Sequence, residues 1–165
     1  MLTCHEIFAF MPASLSQEIL EDIFISDKAM YRVALNAVAE ARKVRPVFLE
    51  RQPRTQRHGV MVTSLSTVRM EEVAGNLLRT WLLRSQLAMV TEFLDHLEIA
   101  HQAGVVENLP AAVDDSKLRA AIEGLLGKYS HPIVAVYLHA FHATNNPQWP
   151  NLAALLREDA RLQPG

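Results

Sequence analysis

The sequence predicts a single all-α domain, an irregular bundle of about seven helices around one long central helix. Apolar residues recur at helical spacing along nearly the whole chain, and no segment alternates clearly between apolar and polar side chains. Half of the 165 residues are apolar. A chain of this length and composition buries enough apolar surface to offset the entropy lost on ordering, so intrinsic disorder is excluded.

The N-terminal part is predicted to hold an apolar arm followed by two helices. Residues 1–11 precede the first capping signal, at Ser14, and are therefore interpreted as an arm outside a single helical domain of residues 12–165. Ser14 is expected to begin one helix and Ser26 a second, which ends before Pro46.

The middle of the chain is predicted to contain a connector and the central helix. Residues 44–52 are interpreted as an irregular connector with residues 47–49 as a buried plug, and a third helix starts at Pro53. The longest periodic stretch, residues 68–99, is predicted to be the central helix. Its apolar stripe changes sides near residues 84–86, which indicates either a bend or different neighbours along the two halves.

Three further helices are predicted in the C-terminal third. Asp114 or Asp115 is expected to cap the fifth helix. A sixth helix has Pro132 in its first turn, although the β-branched residues in 133–137 leave a strand as the competing interpretation. Trp149 is expected to anchor the turn before a short final helix.

Composition and charge narrow the classes of function. The formal net charge is −2, so no general attraction to nucleic acid or anionic membranes is expected. No apolar run approaches the roughly 20 residues of a membrane-spanning helix. The single cysteine, Cys4, forms no internal disulfide, which suits a reducing compartment. We therefore expect a soluble, cytoplasmic protein.

The standard catalytic signatures are absent from the sequence. It contains no phosphate-binding or dinucleotide-binding glycine loop, no H-E-x-x-H, no C-x-x-C and no G-x-S-x-G. Cys4 beside His5 is a poor candidate nucleophile, because a chain terminus does not supply a rigid site. Glu98 and His101 form the E-x-x-H of di-iron bundles, but the second copy that such bundles need is missing.

Histidines on the predicted sixth helix form the first candidate site. His139 and His142 are three residues apart and share one face of that helix. Glu92 and His96 on the central helix, with Asp95 beside them, would complete a mixed set of ligands for a divalent transition metal. The interpretation we favour is that both histidines lie at the solvent-exposed rim of an apolar helix. A third interpretation, besides the metal site and the rim, is a ligand pocket without a metal.

A basic segment is the second candidate site. Residues 42–58 carry a formal charge of about +5, which leaves about −7 for the rest of the chain. The cations are Arg42, Lys43, Arg45, Arg51, Arg54 and Arg57. Such a run contacts phosphates in nucleic-acid-binding proteins, with Phe48 here as a stacking surface. We favour a solvated basic rim that pairs with acids of this chain or of a neighbour.

The function predicted from the sequence is that of a non-catalytic binding module without a cofactor. Surplus apolar residues, including the arm, Trp81 and Trp149, favour burial between chains, so we expect a homo-oligomer. Its partner is a protein or a small ligand, and no membrane partner is expected. The alternatives are a metal-dependent enzyme or metal-binding protein that uses the histidine and carboxylate cluster, and nucleic-acid binding through residues 42–58.

Overall fold

A computed structural model of residues 1–165 confirms the all-α prediction, with ten α-helices and two 3₁₀ turns where the sequence predicts about seven helices. The α-helices are α1 (Cys4–Phe10), α2 (Ala13–Ser26), α3 (Lys28–Ala41), α4 (Pro46–Glu50), α5 (Arg54–Leu65), α6 (Glu71–Ser85), α7 (Leu87–His96), α8 (Asp115–Leu126), α9 (His131–Thr144) and α10 (Pro150–Glu158). The 3₁₀ turns are Val68–Met70 and Ala160–Leu162. One apolar core unites helices from both ends of the chain. None of the helices has the length and apolarity needed to cross a membrane.

Residues 1–11, predicted as an arm, instead form helix α1 and join the core. Ile7 and Phe8 are almost completely buried, and α1 packs against α5, α6 and α9. The start of α1 is fixed by Glu71 of α6, whose carboxylate accepts the Cys4 N–H at 2.7 Å and that of the following residue at 2.9 Å. A local capping box that the sequence prediction overlooked also lies at this helix start, where the Thr3 N–H donates to the Glu6 carboxylate at 3.3 Å. Glu71, in contrast, lies 67 residues away from Cys4 and leaves no local signal.

The capping residues of α2 and α3 also differ from the prediction. Ser14 and Ser26, the predicted caps, both lie within α2. Helix α3 is capped instead by Asp27, whose carboxylate accepts the Met30 N–H at 3.0 Å. An aspartate side chain satisfies a free N–H of the first turn as well as a serine does, so the helix begins one residue later than predicted.

The predicted central helix of residues 68–99 is two helices, α6 and α7, and its interpretation as one helix is wrong. The helices meet at Gln86, inside the segment where the apolar stripe changes sides. Because the chain turns there, each half buries its own stripe: α6 packs against α1, α2, α3 and α9, whereas α7 packs against α8. Helix α6 is therefore the central element of the bundle.

The connector of residues 44–52 contains the short helix α4. Of the predicted buried plug only Leu49 is buried, whereas Val47 and Phe48 are 44% and 58% exposed. Successive residues of a helix point about 100° apart, so a five-residue helix on the surface cannot turn three consecutive side chains toward the core.

The C-terminal third follows the predictions closely. Asp114 caps α8 by accepting a backbone N–H at 3.1 Å, and α9 begins at His131. Residues 133–137 are helical, so the competing strand is rejected. Trp149 is buried, and its indole N–H donates to the carbonyl of Pro110 at 2.9 Å, which anchors the turn before α10.

A two-residue turn projects from the connection between α7 and α8. Gln102 and Val105 exchange both backbone hydrogen bonds, and Ala103 and Gly104 between them have φ values of 50° and 82°. Positive φ at both central positions is typical of a type I′ hairpin turn. The positive φ of Gly104 favours glycine, and a Cβ there would also lie 2.9 Å from the end of the Leu83 side chain, which would have to shift.

We expect Gly104→Ala to lower the free energy of unfolding by about 1–3 kcal/mol, because it adds backbone strain and a close contact. Gly124→Ala is the matched control, since a Cβ on that α8 residue would meet no atom within 4 Å. It is expected to raise the free energy of unfolding by about 0.5–1 kcal/mol. Urea unfolding followed by circular dichroism measures both, and equal effects would contradict the turn.

Candidate ligand-binding cleft

His139, one of the two predicted site histidines, holds the two ends of the chain. Its Nδ1 accepts the Leu2 N–H at 3.1 Å, and its Nε2–H donates to the carbonyl of Leu162 at 2.8 Å. The first partner only donates and the second only accepts, so the ring is neutral with its proton on Nε2. Burial lowers the pKa of His139. Because the residue is only 1% exposed, the rim interpretation is wrong for it.

His142 is also buried, one turn further along α9. It is 7% exposed, and its Nδ1 is buried without a hydrogen-bond partner. Burial lowers the pKa of His142, and the positive charges of the chain's amino terminus and Arg157 lower it further. The rim interpretation fails for both histidines because α9 is covered on nearly every side, with all of residues 134–140 buried.

The side chains predicted on the second half of the central helix have other partners. Glu92 accepts the Tyr129 hydroxyl at 3.0 Å, Asp95 pairs with His101 at 2.7 Å, and His96 is exposed. The α7 members therefore contact the α8 side of the fold, whereas His139 contacts the chain ends. No group of three or more His, Cys, Asp or Glu side chains lies close enough together to hold a metal ion. The structure does not assemble the predicted cluster.

The basic segment divides into two cations that contact other groups of the chain, Arg57 and the exposed Arg54, and four that form no ion pair. Arg57 donates to three backbone carbonyls around the end of α4 and to the Tyr31 hydroxyl, at 3.1 to 3.4 Å. Arg54 pairs with Glu21 at 2.9 Å, and its guanidinium lies 4.5 Å from the centre of the Phe24 ring. These two cations are engaged within the fold. The cations that form no ion pair are Arg42, Lys43, Arg45 and Arg51, and all four are exposed.

Arg57 belongs to a buried network that ties α3, α4 and α5 together. Because Arg57 donates to the Tyr31 oxygen, the Tyr31 O–H is free to donate to Nε2 of His58, at 2.8 Å. His58 is 1% exposed, and its burial, with Arg57 and Arg54 nearby, lowers its pKa to about 4. The network is neutral at the histidine and charged only at Arg57, so it is structural.

A cleft of about 480 Å³ lies between α6 and α9. Its walls come from these two helices, from α7, from the hairpin turn and from Cys4 of α1, and 11 of its 19 lining residues are hydrophobic. The apolar wall includes Leu82, Leu83, Val90, Leu94, Ala140 and Phe141. Clefts of about 300–1,000 Å³ with mostly apolar walls and a few polar groups are typical sites for small ligands.

Tyr137 is the buried polar group of this cleft. It is 4% exposed, and its hydroxyl oxygen is buried without a hydrogen-bond partner. The ring packs edge-on against Phe93 and Phe141, with centroids 5.4 and 6.1 Å apart, which fixes its position. Burial raises the pKa of Tyr137, so the hydroxyl keeps its proton. An unpaired buried hydroxyl costs about 1–3 kcal/mol, and a ligand that accepts this hydrogen bond would remove that cost.

The rest of the cleft carries polar groups at its open edge. Glu72, Asn76 and Arg79 line it from α6, and Thr144 and Asn145 line it from the end of α9. The three α6 residues are exposed. A molecule in this cleft would therefore meet an apolar interior next to one buried hydroxyl. At the entrance it would meet hydrogen-bonding groups that include a negative charge, on Glu72, and a positive charge, on Arg79.

Cys4 contributes to the wall of the cleft as a neutral thiol. It is 2% exposed, and burial, with Glu71 nearby, raises its pKa to about 12. The thiolate is the nucleophilic form of cysteine, so Cys4 is not an active nucleophile at neutral pH. The Glu71 carboxylate is itself occupied, because it accepts two backbone N–H groups of α1 and lies 2.6 Å from Nδ1 of His5.

An aspartate and histidine pair positions the hairpin turn beside the cleft. The His101 Nε2–H donates to Asp95 at 2.7 Å, and its Nδ1 accepts the Gly104 N–H at 3.1 Å. Gly104 and Val105 in turn line the cleft. The nitrogen that would serve as a general base is occupied by backbone, so this pair orients the turn.

This cleft is not identified from the sequence, because Tyr137 lies within an apolar stretch of its helix and draws no attention there. The signal was nevertheless present, since the hydroxyl of a tyrosine inside an apolar helix needs a partner once the helix is covered. The chain matches no known protein family, no curated protein and no solved structure. Its function is therefore argued from the geometry of the cleft.

Tyr31→Phe and Tyr137→Phe each remove a phenolic hydroxyl from a buried tyrosine, and the two hydroxyls differ in their hydrogen bonding. Tyr31 has two hydrogen-bond partners and Tyr137 has none. We expect Tyr31→Phe to lower the free energy of unfolding by about 1–2 kcal/mol, and Tyr137→Phe to leave it unchanged or raise it by up to about 1 kcal/mol. Chemical denaturation of the ligand-free protein measures both. A loss above about 1 kcal/mol in Tyr137→Phe would show that its hydroxyl is already paired.

Three buried histidines predict how stability depends on pH. The pKa values of His58, His139 and His142 are lowered by folding, so the unfolded chain binds more protons as the pH falls below about 6.5. The contribution of the neutral histidines to the free energy of unfolding is expected to have its full value above about pH 7. The free energy of unfolding should then fall as the pH decreases toward 4. His58→Gln should flatten this dependence, and His96→Gln, at an exposed position, should not. A stability that is constant between pH 7 and 4 would contradict neutral buried histidines.

Proposed function

We propose that the protein is a binding module whose cleft between α6 and α9 takes a small, largely apolar molecule that carries a hydrogen-bond acceptor. The observation that carries this proposal is the buried, unpaired hydroxyl of Tyr137 in the cleft wall. The Tyr137 hydroxyl has almost no accessible surface in the ligand-free protein, so the cleft wall shifts slightly for the ligand's acceptor to bind the O–H, while the ligand's apolar body packs against Leu82, Leu94 and Phe141. A polar end of the ligand lies at the entrance, near Arg79.

A binding role is better supported than catalysis because the reactive groups near the cleft are already occupied. The Cys4 thiol has a raised pKa, the Glu71 carboxylate bonds α1, and His101 bonds both Asp95 and a backbone N–H. A nucleophilic or general-base mechanism needs a nucleophile or base free to contact the substrate. Tyr137 supplies a hydrogen-bond donor, which orients a ligand.

The two alternative functions receive less support. The histidine and carboxylate set proposed for a metal is divided between separate partners on α7 and α9. For nucleic-acid binding through residues 42–58, two of the six cations are already occupied, because Arg54 and Arg57 bind groups of the chain itself.

The homo-oligomeric state and the cytoplasmic location remain predictions. The features that suggested an oligomer, the arm, Trp81 and Trp149, are covered by the chain itself, because α1 joins the core and both tryptophans are buried. The exposed apolar side chains Ile25 and Val33 leave surface for contact between copies. Light scattering of the purified protein measures the oligomeric state.

We expect saturable binding of one molecule of 8-anilinonaphthalene-1-sulfonate per chain, because this probe combines an apolar body with strong hydrogen-bond acceptors. Ala143→Phe places a ring on a residue that lines the cleft and should weaken the affinity by about tenfold or more. Ala120→Phe, the same change at an exposed position of α8, is the control and should leave the affinity unchanged. Fluorescence titration measures all three proteins.

Tyr137→Phe should weaken the affinity for this probe by about three- to tenfold, which corresponds to the loss of one hydrogen bond. The absence of saturable binding would contradict the proposal. So would an affinity that Ala143→Phe and Ala120→Phe change equally, because the probe would then lie outside the cleft.

A further inference from the structure

Four cations around helix α4 have no counter-charge within the chain. They are Arg42, Lys43, Arg45 and Arg51. All four are exposed, and none takes part in an ion pair. The acid within this segment, Glu50, already pairs with Arg32. This face is therefore strongly positive on a chain whose net charge is −2, and it attracts an anionic partner.

The same face exposes apolar surface beside a groove. Val47 and Phe48, adjacent on α4, are 44% and 58% exposed. Phe48 forms one wall of a groove of about 340 Å³. The other lining residues are Arg42, Val44, Leu49, Gln52 and Val60. Four of the six lining residues are thus apolar, and Arg42 and Gln52 add polar surface to the groove.

Gln52 lines this groove, and its side-chain oxygen has no hydrogen-bond partner and almost no accessible surface in the unbound protein. An amide oxygen only accepts, so its partner must bring an N–H or an O–H. The groove is also preformed, because Arg57 bonds the carbonyls of Leu49, Glu50 and Gln52 and so holds the end of α4 against α5.

We propose that this groove is a docking site for an acidic peptide segment of a partner protein. The segment inserts one apolar side chain against Phe48 and Val60. The Gln52 side chain turns toward the groove on binding, and one of the segment's N–H groups then donates to its oxygen. The segment's carboxylates lie near the four free cations. This site is separate from the cleft between α6 and α9, since the two share no lining residue.

The chemistry of the groove favours a peptide over the other anionic partners. Phosphate groups accept hydrogen bonds and do not donate them, so a nucleic acid could pair the Gln52 oxygen only through a base N–H or a ribose hydroxyl. Every residue of a peptide other than proline, in contrast, offers a backbone N–H. Phe48 is the single aromatic residue of the groove, whereas binding to single strands usually stacks several bases on successive rings. A membrane surface lacks a side chain that fills a concave groove.

The test uses a short fluorescein-labelled peptide of Glu and Asp residues with one central Leu. Its affinity is measured by fluorescence anisotropy at low and at physiological salt. The same peptide with Ser in place of Leu, an oligothymidylate and vesicles containing phosphatidylserine are the comparison probes. We expect the Leu peptide to bind most tightly, with the Ser peptide weaker by about tenfold because the apolar anchor is lost.

Three variants test the residues of the groove. Phe48→Ala and Gln52→Met are each expected to weaken binding of the Leu peptide by about tenfold, through loss of the apolar wall and of the acceptor. The double variant Arg45→Gln/Arg51→Gln should weaken it similarly at low salt and make its salt dependence shallower. The double variant Lys28→Gln/Arg69→Gln removes two exposed cations elsewhere and should leave the affinity unchanged.

Circular dichroism establishes that each variant is folded, so a loss of affinity reports on the groove. The proposal is overturned if the Leu peptide does not bind saturably, or if the control double variant weakens binding as much as Arg45→Gln/Arg51→Gln. Tighter binding of the oligothymidylate than of the Leu peptide overturns it in favour of nucleic acid. Vesicle binding that depends on Phe48 without peptide binding overturns it in favour of a membrane surface.

Discussion

The burial of helix α9 on nearly every side is the constraint on which the rest of the structure depends. A polar group on such a helix must find a partner inside the fold or bear the cost of desolvation. His139 finds two, and by bonding Leu2 and Leu162 it joins both chain ends to the centre of the bundle. Tyr137, two residues earlier, finds none, and its hydroxyl is left in the wall of the cleft. The side of α9 that the two chain ends cover and the side that faces the open cleft are therefore two results of the same constraint.

The parts of the fold that depend on residues close together in the sequence could be predicted from it. Helical spacing and the Asp114 cap located α8, and the spacing together with Pro132 located α9. The stripe that changes sides near residues 84–86 marked the break between α6 and α7. Helix α1 was missed although Thr3 and Glu6 form a local capping box at its start, and the bonds to its first N–H groups come from Glu71, a residue of a distant helix. Capping by a tertiary contact leaves no local pattern.

The candidate site was harder to predict than the fold, for a related reason. A helical face shows which side chains point together, but not which neighbour covers them. His139 and His142 share a face as predicted, yet the chain ends cover that face, and Glu92 contacts Tyr129 instead. The basic segment shows the same limit, since nothing local distinguishes Arg57, which bonds three carbonyls, from the exposed Arg51.

The most direct test of the cleft as a ligand site is native mass spectrometry of the protein isolated from its own cells. The account predicts a non-covalent adduct of one small molecule per chain, which denaturation releases. The adduct should be displaced by 8-anilinonaphthalene-1-sulfonate and be missing from Ala143→Phe, because both occupy the space beside Tyr137. A chain that carries no adduct, or an adduct that persists unchanged in Ala143→Phe, would contradict the account.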